Sequence, residues 1–234
     1  MTHRTARRSG HWAAALAMAL LPTGPAPAEP VACPDGRTSV EGAGATAPVI
    51  CDIVAAGRRE IAQCGGLDLS RPIEIAINPD LGLHCVGQYH CGENRIELLP
   101  PDTYLEGTAM SANSAFATIA PDAYFASIIR HELAHAAMDT MMDCPFEHCL
   151  VGQEYVAYTL QIEFLPGPER DAFLAGLPEV TRPVSRDELT PMTLFMAPGI
   201  FAQKAWLHFS ARPDPCGFLG QVARGTVLLD QDRF

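Results

Sequence analysis

Two histidines and a glutamate stand within five residues, in the order His131-Glu132-Leu133-Ala134-His135. On a helix, residues i and i+4 lie about 40° apart around the axis and about 6 Å apart along it. His131 and His135 then project from one face and can hold one cation, and Glu132 stands beside that face. A carboxylate in that position can take a proton from a water the cation has acidified. A catalytic zinc site needs a third protein ligand and leaves its fourth position open. The donors that follow His135 are Glu147, His148, Glu154 and Glu163. Glu147 and His148 sit in or beside a tight cysteine loop, and Glu163 falls near the end of a helical stretch. Glu154 is better placed. The eighteen residues after His135 allow one helix to end, the chain to turn and a second helix to return.

The pattern His131-Glu132-Leu133-Ala134-His135 followed by Glu154 resembles the gluzincin branch of zinc metallopeptidases, whose familiar members are thermolysin-like enzymes. The resemblance covers residues 94 to 165. It implies that His131, His135 and Glu154 bind one Zn²⁺, that Glu132 is the general base, and that the substrate is a peptide or protein. Gln153-Glu154 resembles the family's Asn-Glu pair. The family's aspartate four residues beyond the ligand glutamate is replaced by Tyr158. No third histidine follows at the metzincin spacing, and Ala137 stands two residues beyond His135. The resemblance also implies an edge strand before the active-site helix that pairs with extended substrate. Asn94 to Leu99 is the expected strand. Asp139, one turn beyond His135, is a candidate acceptor for an imidazole N–H. Tyr155, Tyr158 and His208 are candidate donors to a developing oxyanion. His84 and His90 read as surface residues. Two other readings use the same motif: a non-catalytic exported binding module on a zincin scaffold, and a metal-dependent amidase acting on cell-wall peptides.

The elements that must position these residues are legible in outline. Pro121-Asp122 opens the motif helix, with proline tolerated in the first turn and aspartate suited to the positive end of the dipole. Tyr124, Phe125, Ile128 and Ile129 form its buried stripe, and Cys144-Pro145 closes it. A second helix runs from Val151 to Phe164, with Glu154, Ala157, Tyr158 and Gln161 on one side. Pro48 to Gln63 has apolar residues at helical spacing. Ile73 to Ile77 and Arg95 to Leu99 alternate as strands, and His84 to Gly92 reads as a loop or hairpin arm. Later, Ser185-Arg186-Asp187-Glu188 matches a capping box, Gly199 to Phe209 reads as helix, and Asp214-Pro215 opens a last short helix. Together these predict an α+β fold: a compact zincin-like domain over residues 48–234 with a small antiparallel or mixed sheet and a helical C-terminal part.

Residues 1–28 have the form of a secretory signal. Arg4, Arg7 and Arg8 precede a short apolar run from His11 to Leu21, and Ala26-Pro27-Ala28 is a small-x-small cleavage site. No run reaches the ~20 apolar residues that span a bilayer. The expected location is the bacterial periplasm or the outside of the cell. Cleavage removes three arginines and no acidic residue, taking the formal charge from −11 to −14. With one lysine, Lys204, and scattered arginines, nucleic-acid binding is not expected. A monomer is favoured. Residues 29–47 read as an extended arm. Eight cysteines in an exported chain predict disulfides. The short loops favour Cys85 with Cys91 and Cys144 with Cys149.

Overall fold

Three of the strands form around residues whose alternate side chains are buried, and the sheet they anchor is the floor on which the motif helix lies. A computed structural model describes residues 29–82, 85–105, 114–141, 146–179 and 181–230. The strands are β1 (Val31–Ala32), β2 (Thr38–Glu41), β3 (Ile73–Ile77), β4 (Gly87–His90) and β5 (Arg95–Leu98). Their spatial order is β1-β2-β3-β5-β4. β2, β3 and β5 are mutually parallel, while β1 and β4 run antiparallel at the two edges. Val40, Ile75 and Ile96 pair across the three central strands and are all buried.

Two expectations change here. Residues 29–47 are not a simple arm, because they supply β1 and β2. Asp35 accepts from the backbone of Arg37 and Thr38 and pairs with Arg58, and Cys33 is bonded to Cys51. Arg95–Leu98 is not the edge strand. It lies between β3 and β4, and the edge belongs to β4, in the stretch read as a loop. Gly87 and Gln88 carry no apolar signal, which is why periodicity missed it.

The helices are α1 (Ala47–Gln63), α2 (Pro101–Leu105), α3 (Pro121–Met138), α4 (Phe146–Glu163), α5 (Gly167–Ala175), α6 (Pro191–Met196), α7 (Pro198–Ser210) and α8 (Pro215–Ala223). α3 carries the motif. Twelve of its eighteen residues are buried, so it is the central helix rather than a surface one. It ends at Met138, earlier than Cys144-Pro145. α1 covers one side of it at Gly57, where an added Cβ would meet Leu133 Cδ1 at 2.8 Å. Arg130 clamps the pair through a two-pronged bond to Glu60, at 2.6 and 3.1 Å. α4 packs along the other side of α3, with Val151, Tyr155, Val156 and Leu160 buried. Truncating a fully buried residue such as Leu133 to alanine costs about 2–5 kcal/mol in such a core.

Cys64 and Cys216 join the end of α1 to the start of α8. Cys149 is disulfide-bonded, and Cys144, its expected partner, lies outside the described residues. The expected Cys85–Cys91 bridge is absent: both thiols are free. They flank opposite ends of extended β4. Even its four residues, rising about 3.3 Å each, hold them beyond the ~7 Å Cα separation a disulfide tolerates. The domain is thus α+β with a mixed five-stranded sheet and described disulfides on both flanks. No helix among the described residues is long and apolar enough to cross a membrane. Residues 1–28, read above as a secretory signal, lie outside the described residues.

Candidate metal centre

α3 and α4 bring His131, His135 and Glu154 together. His131 Nε2 and His135 Nε2 are 3.2 Å apart. Glu154 reaches His131 Nε2 at 3.5 Å through Oε2, and His135 Nε2 at 3.6 Å through Oε1. A tetrahedral ion with bonds of about 2.0–2.2 Å sets its donors about 3.3–3.6 Å apart. The His131–His135 spacing is close to that requirement, and the Glu154 carboxylate turns one oxygen toward each imidazole at a similar distance. Among the described residues this is the cluster of His, Cys and acidic side chains able to hold a metal. Glu163 is remote from it and pairs with Arg170, at 3.9 Å. The side chains of Glu147 and His148 lie outside the described set.

The donors are fixed from behind. His131 Nδ1 lies 3.0 Å from Gln161 Oε1, and Gln161 Nε2 donates to Ser127 Oγ at 3.0 Å. Ser127 in turn donates to the Tyr124 carbonyl at 2.7 Å. The chain of donors makes Gln161 Oε1 an acceptor, so His131 carries its proton on Nδ1 and turns the Nε2 lone pair toward the cluster. Gln161 therefore holds the His131 ring in one tautomer and one orientation. Tyr158 sits edge-on to His131, with ring centroids 4.6 Å apart. Burial lowers His135 to about 4, with Glu154 pulling it up and His131 pulling it down, which keeps that imidazole neutral and fit to ligate. His131 is shifted upward: burial opposes the charge, and the carboxylates of Glu154 and Glu132 outweigh it.

Glu132 is buried at the side of the cluster, beneath β4. The Tyr89 backbone N–H donates to its carboxylate. Burial pushes it up to about 7, with His131 pulling down and the Glu154 charge pushing up. Its place depends on Gly87: an added Cβ there would meet Ile128 Cγ2 at 2.7 Å and Glu132 Oε1 at 3.0 Å. A glycine in a strand commonly marks such a close approach, which is the signal that could have found it.

The cluster opens into a cleft of about 630 Å³ bounded by β4, α3, α4 and Pro198. Leu99 N donates to Val86 O. By the alternation of an antiparallel ladder, Gly87 and Tyr89 turn their backbone groups to the open side. Asp139 is also on the cleft wall, but it does not support an imidazole. Its Oδ2 accepts from Tyr89 Oη at 2.9 Å, Gly92 N at 3.1 Å and Arg71 at 3.0 Å. It latches the β4–β5 hairpin onto the end of α3. His90, read as a surface residue, lines the cleft and lies 3.3 Å from Glu97. His84 lies outside the described residues.

Tyr158 lines the cleft, and Tyr155 and His208 do not. Tyr155 points from the other side of α4 and meets His208 Nδ1 at 3.0 Å. Arg212 donates to His208 Nε2 at 2.8 Å and lies 3.4 Å over the Phe218 ring. A guanidinium only donates, so the proton of neutral His208 is on Nδ1. Burial, then the charge of Arg212, lowers His208 to about 4. Between that value and the ordinary 6.5, the unfolded chain binds a proton that the folded chain refuses. Stability is therefore held above pH 6.5 and lost as the pH falls through about 4. The expected loss is on the order of 2–3 kcal/mol. Thermal melting from pH 7 to 4.5 should show the slope, and His208→Gln should flatten it; an unchanged slope in that variant removes His208 as its source.

The chain belongs to a family of unknown function, DUF6639, which it matches over residues 39–232. No curated protein and no solved structure matches it.

Proposed function

We propose that this protein is an exported zinc-dependent metallopeptidase. The observation that carries the reading is the convergence of His131 Nε2, His135 Nε2 and the two oxygens of the Glu154 carboxylate at separations of 3.2–3.6 Å. They meet in an open cleft, beside a buried carboxylate and below an unpaired strand edge. Two imidazoles and one carboxylate suit Zn²⁺ and leave room for water and substrate. Disulfides in a chain that begins with a signal-like segment agree with export.

Zinc held there lowers the pKa of a coordinated water toward ~7 and polarises a carbonyl. The chain supplies the rest. The open Gly87 N–H and Tyr89 carbonyl pair with an extended peptide, which aligns its scissile bond along α3. Glu132, held by the Tyr89 N–H, accepts the proton of the attacking water and passes it to the leaving amine. Tyr158 is the cleft-lining hydroxyl beside His131, and it is assigned as donor to the developing oxyanion. Asp139 keeps β4 at a fixed distance from Glu132 by holding both Tyr89 and Gly92.

Zinc analysis of protein purified without chelator tests the centre, with about one ion per chain expected. Internally quenched peptides, casein and peptidoglycan fragments then separate the chemistry. Cleavage of peptides that is lost with chelator and restored by zinc supports the proposal. Protein that takes up no zinc, or zinc-loaded protein that cuts only cell-wall crosslinks, overturns it.

A further inference from the structure

Six large apolar side chains are conspicuously exposed among the described residues: Val31, Val49, Met192, Phe195, Met196 and Ile200. Four of them fall within nine residues of one another, on α6 and the first turn of α7. Met192, Phe195 and Met196 are 71%, 71% and 77% exposed, and Ile200 is 51% exposed. The spacing i, i+3, i+4 places the three α6 residues on one face. Leu194, on the opposite face, is buried and is what fixes the helix to the domain. α6 is held in place at both ends: Thr190 Oγ1 caps it by accepting from Thr193 N at 3.1 Å, and Pro198 follows immediately. This is a rigid, outward apolar face rather than a frayed turn.

The face adjoins the cleft. Pro198 lines the cleft and stands two residues from Met196 and two from Ile200. At ~3.3 Å per extended residue, a chain leaving the cleft at Pro198 reaches the face within a few residues. Two of the four side chains are methionines, which repack easily around varied apolar partners. The charge balance narrows the occupant. An anionic membrane surface calls for lysines and arginines around such a face. Here the sole lysine, Lys204, lies 3.5 Å from Glu188, and the whole chain carries −11. That charge also opposes a second copy.

We infer that the outward face of α6, extended by Ile200, is a docking site for an apolar stretch of the same extended polypeptide whose neighbouring residues occupy the cleft. The inference rests on the peptidase reading of that cleft and names its substrate class: unfolded or flexible chains with an apolar cluster a short distance from the cut.

The test uses one quenched core peptide in three forms. It is presented alone, extended by a Leu-Phe-Leu cluster four to eight residues from the scissile bond on either side, or extended equally by Ser and Gly. The purified protein should cleave one apolar-extended peptide with a kcat/KM about tenfold above its Ser-Gly counterpart, mainly through KM, as burial of one or two such side chains predicts. The combined variant Met192→Ser, Phe195→Ser, Met196→Ser should lose that gain and cleave the bare core as before. Equal cleavage of apolar and polar extensions, or a gain that survives in the variant, overturns the inference. If no peptide is cleaved, the peptidase reading fails separately, and anisotropy with the same labelled peptides decides the face. Tighter binding of the apolar form that the triple variant loses supports docking, and equal binding overturns it. Co-sedimentation with phosphatidylglycerol vesicles, or a dimer in sedimentation velocity, that the triple variant abolishes also overturns it.

Discussion

Glu132→Gln is expected to lower peptide hydrolysis by about 10²–10⁴-fold while leaving the zinc content unchanged. The two halves of that result come from different atoms. The metal-binding cluster is made by His131, His135 and Glu154, and Glu132 is not one of its donors. Glutamine keeps the shape of the side chain, fits under Gly87, and offers an oxygen to the Tyr89 N–H that now meets the carboxylate. What it lacks is the ability to take a proton. Buried glutamate at this position is held up to about 7 by desolvation, so a neutral amide should not destabilise the fold. Thermal melting supplies the control. A variant that melts like the parent, binds one zinc and still hydrolyses peptide at the parental rate would remove Glu132 from the mechanism.

The histidine–glutamate constellation was legible because ligation and general-base chemistry demand residue types that are rare together, and the helix period fixes their geometry. The third donor was readable for a related reason: a glutamate on the next apolar-periodic segment is the one that a helical hairpin returns to His131 and His135. The supporting residues were not. Gln161 was visible on the same side of α4 as Glu154, but an amide there has no signature until Ser127 and His131 are seen at its two ends. Asp139 had the right spacing for an imidazole partner, yet the β4–β5 hairpin arrives from fifty residues away and claims it. Tyr155 and His208 have suitable chemistry and point to the other side of α4. β4 was hidden for a physical reason. An edge strand beside a cleft has one apolar contact to make, at Tyr89, and gives its remaining positions to a glycine and polar residues. The same holds for the thiols: short sequence separation favoured Cys85 with Cys91, and the extended backbone between them forbids it.

Glu154→Ala should weaken zinc binding by more than the 10–100-fold that loss of a supporting hydrogen bond to a ligand brings. Two imidazole nitrogens 3.2 Å apart and a carboxylate that turns one oxygen to each at 3.5 and 3.6 Å define the site, and two imidazoles separated by one helical turn can hold a cation only weakly without that carboxylate. Removing it also withdraws the negative charge that draws His135 back toward its ordinary basicity. Gln161→Ala is the informative comparison. It leaves all three donors in place and frees His131 Nδ1, so the ring can rotate or exchange tautomers. Its loss should stay within 10–100-fold, with the remaining zinc still supporting hydrolysis. Competition titration against a chromophoric chelator measures both variants on one scale. The order expected is parent, then Gln161→Ala, then Glu154→Ala. Equal affinity of the parent and Glu154→Ala would mean that the carboxylate is a neighbour of the histidines and not their partner. A Gln161 effect as large as that of Glu154 would mean that tautomer control, rather than the third donor, limits binding. Either result redraws the centre while leaving the fold that assembles it intact, because both side chains lie at the cleft and the core shared by the two helices is built from other residues, Ile129, Val156 and Leu160 among them.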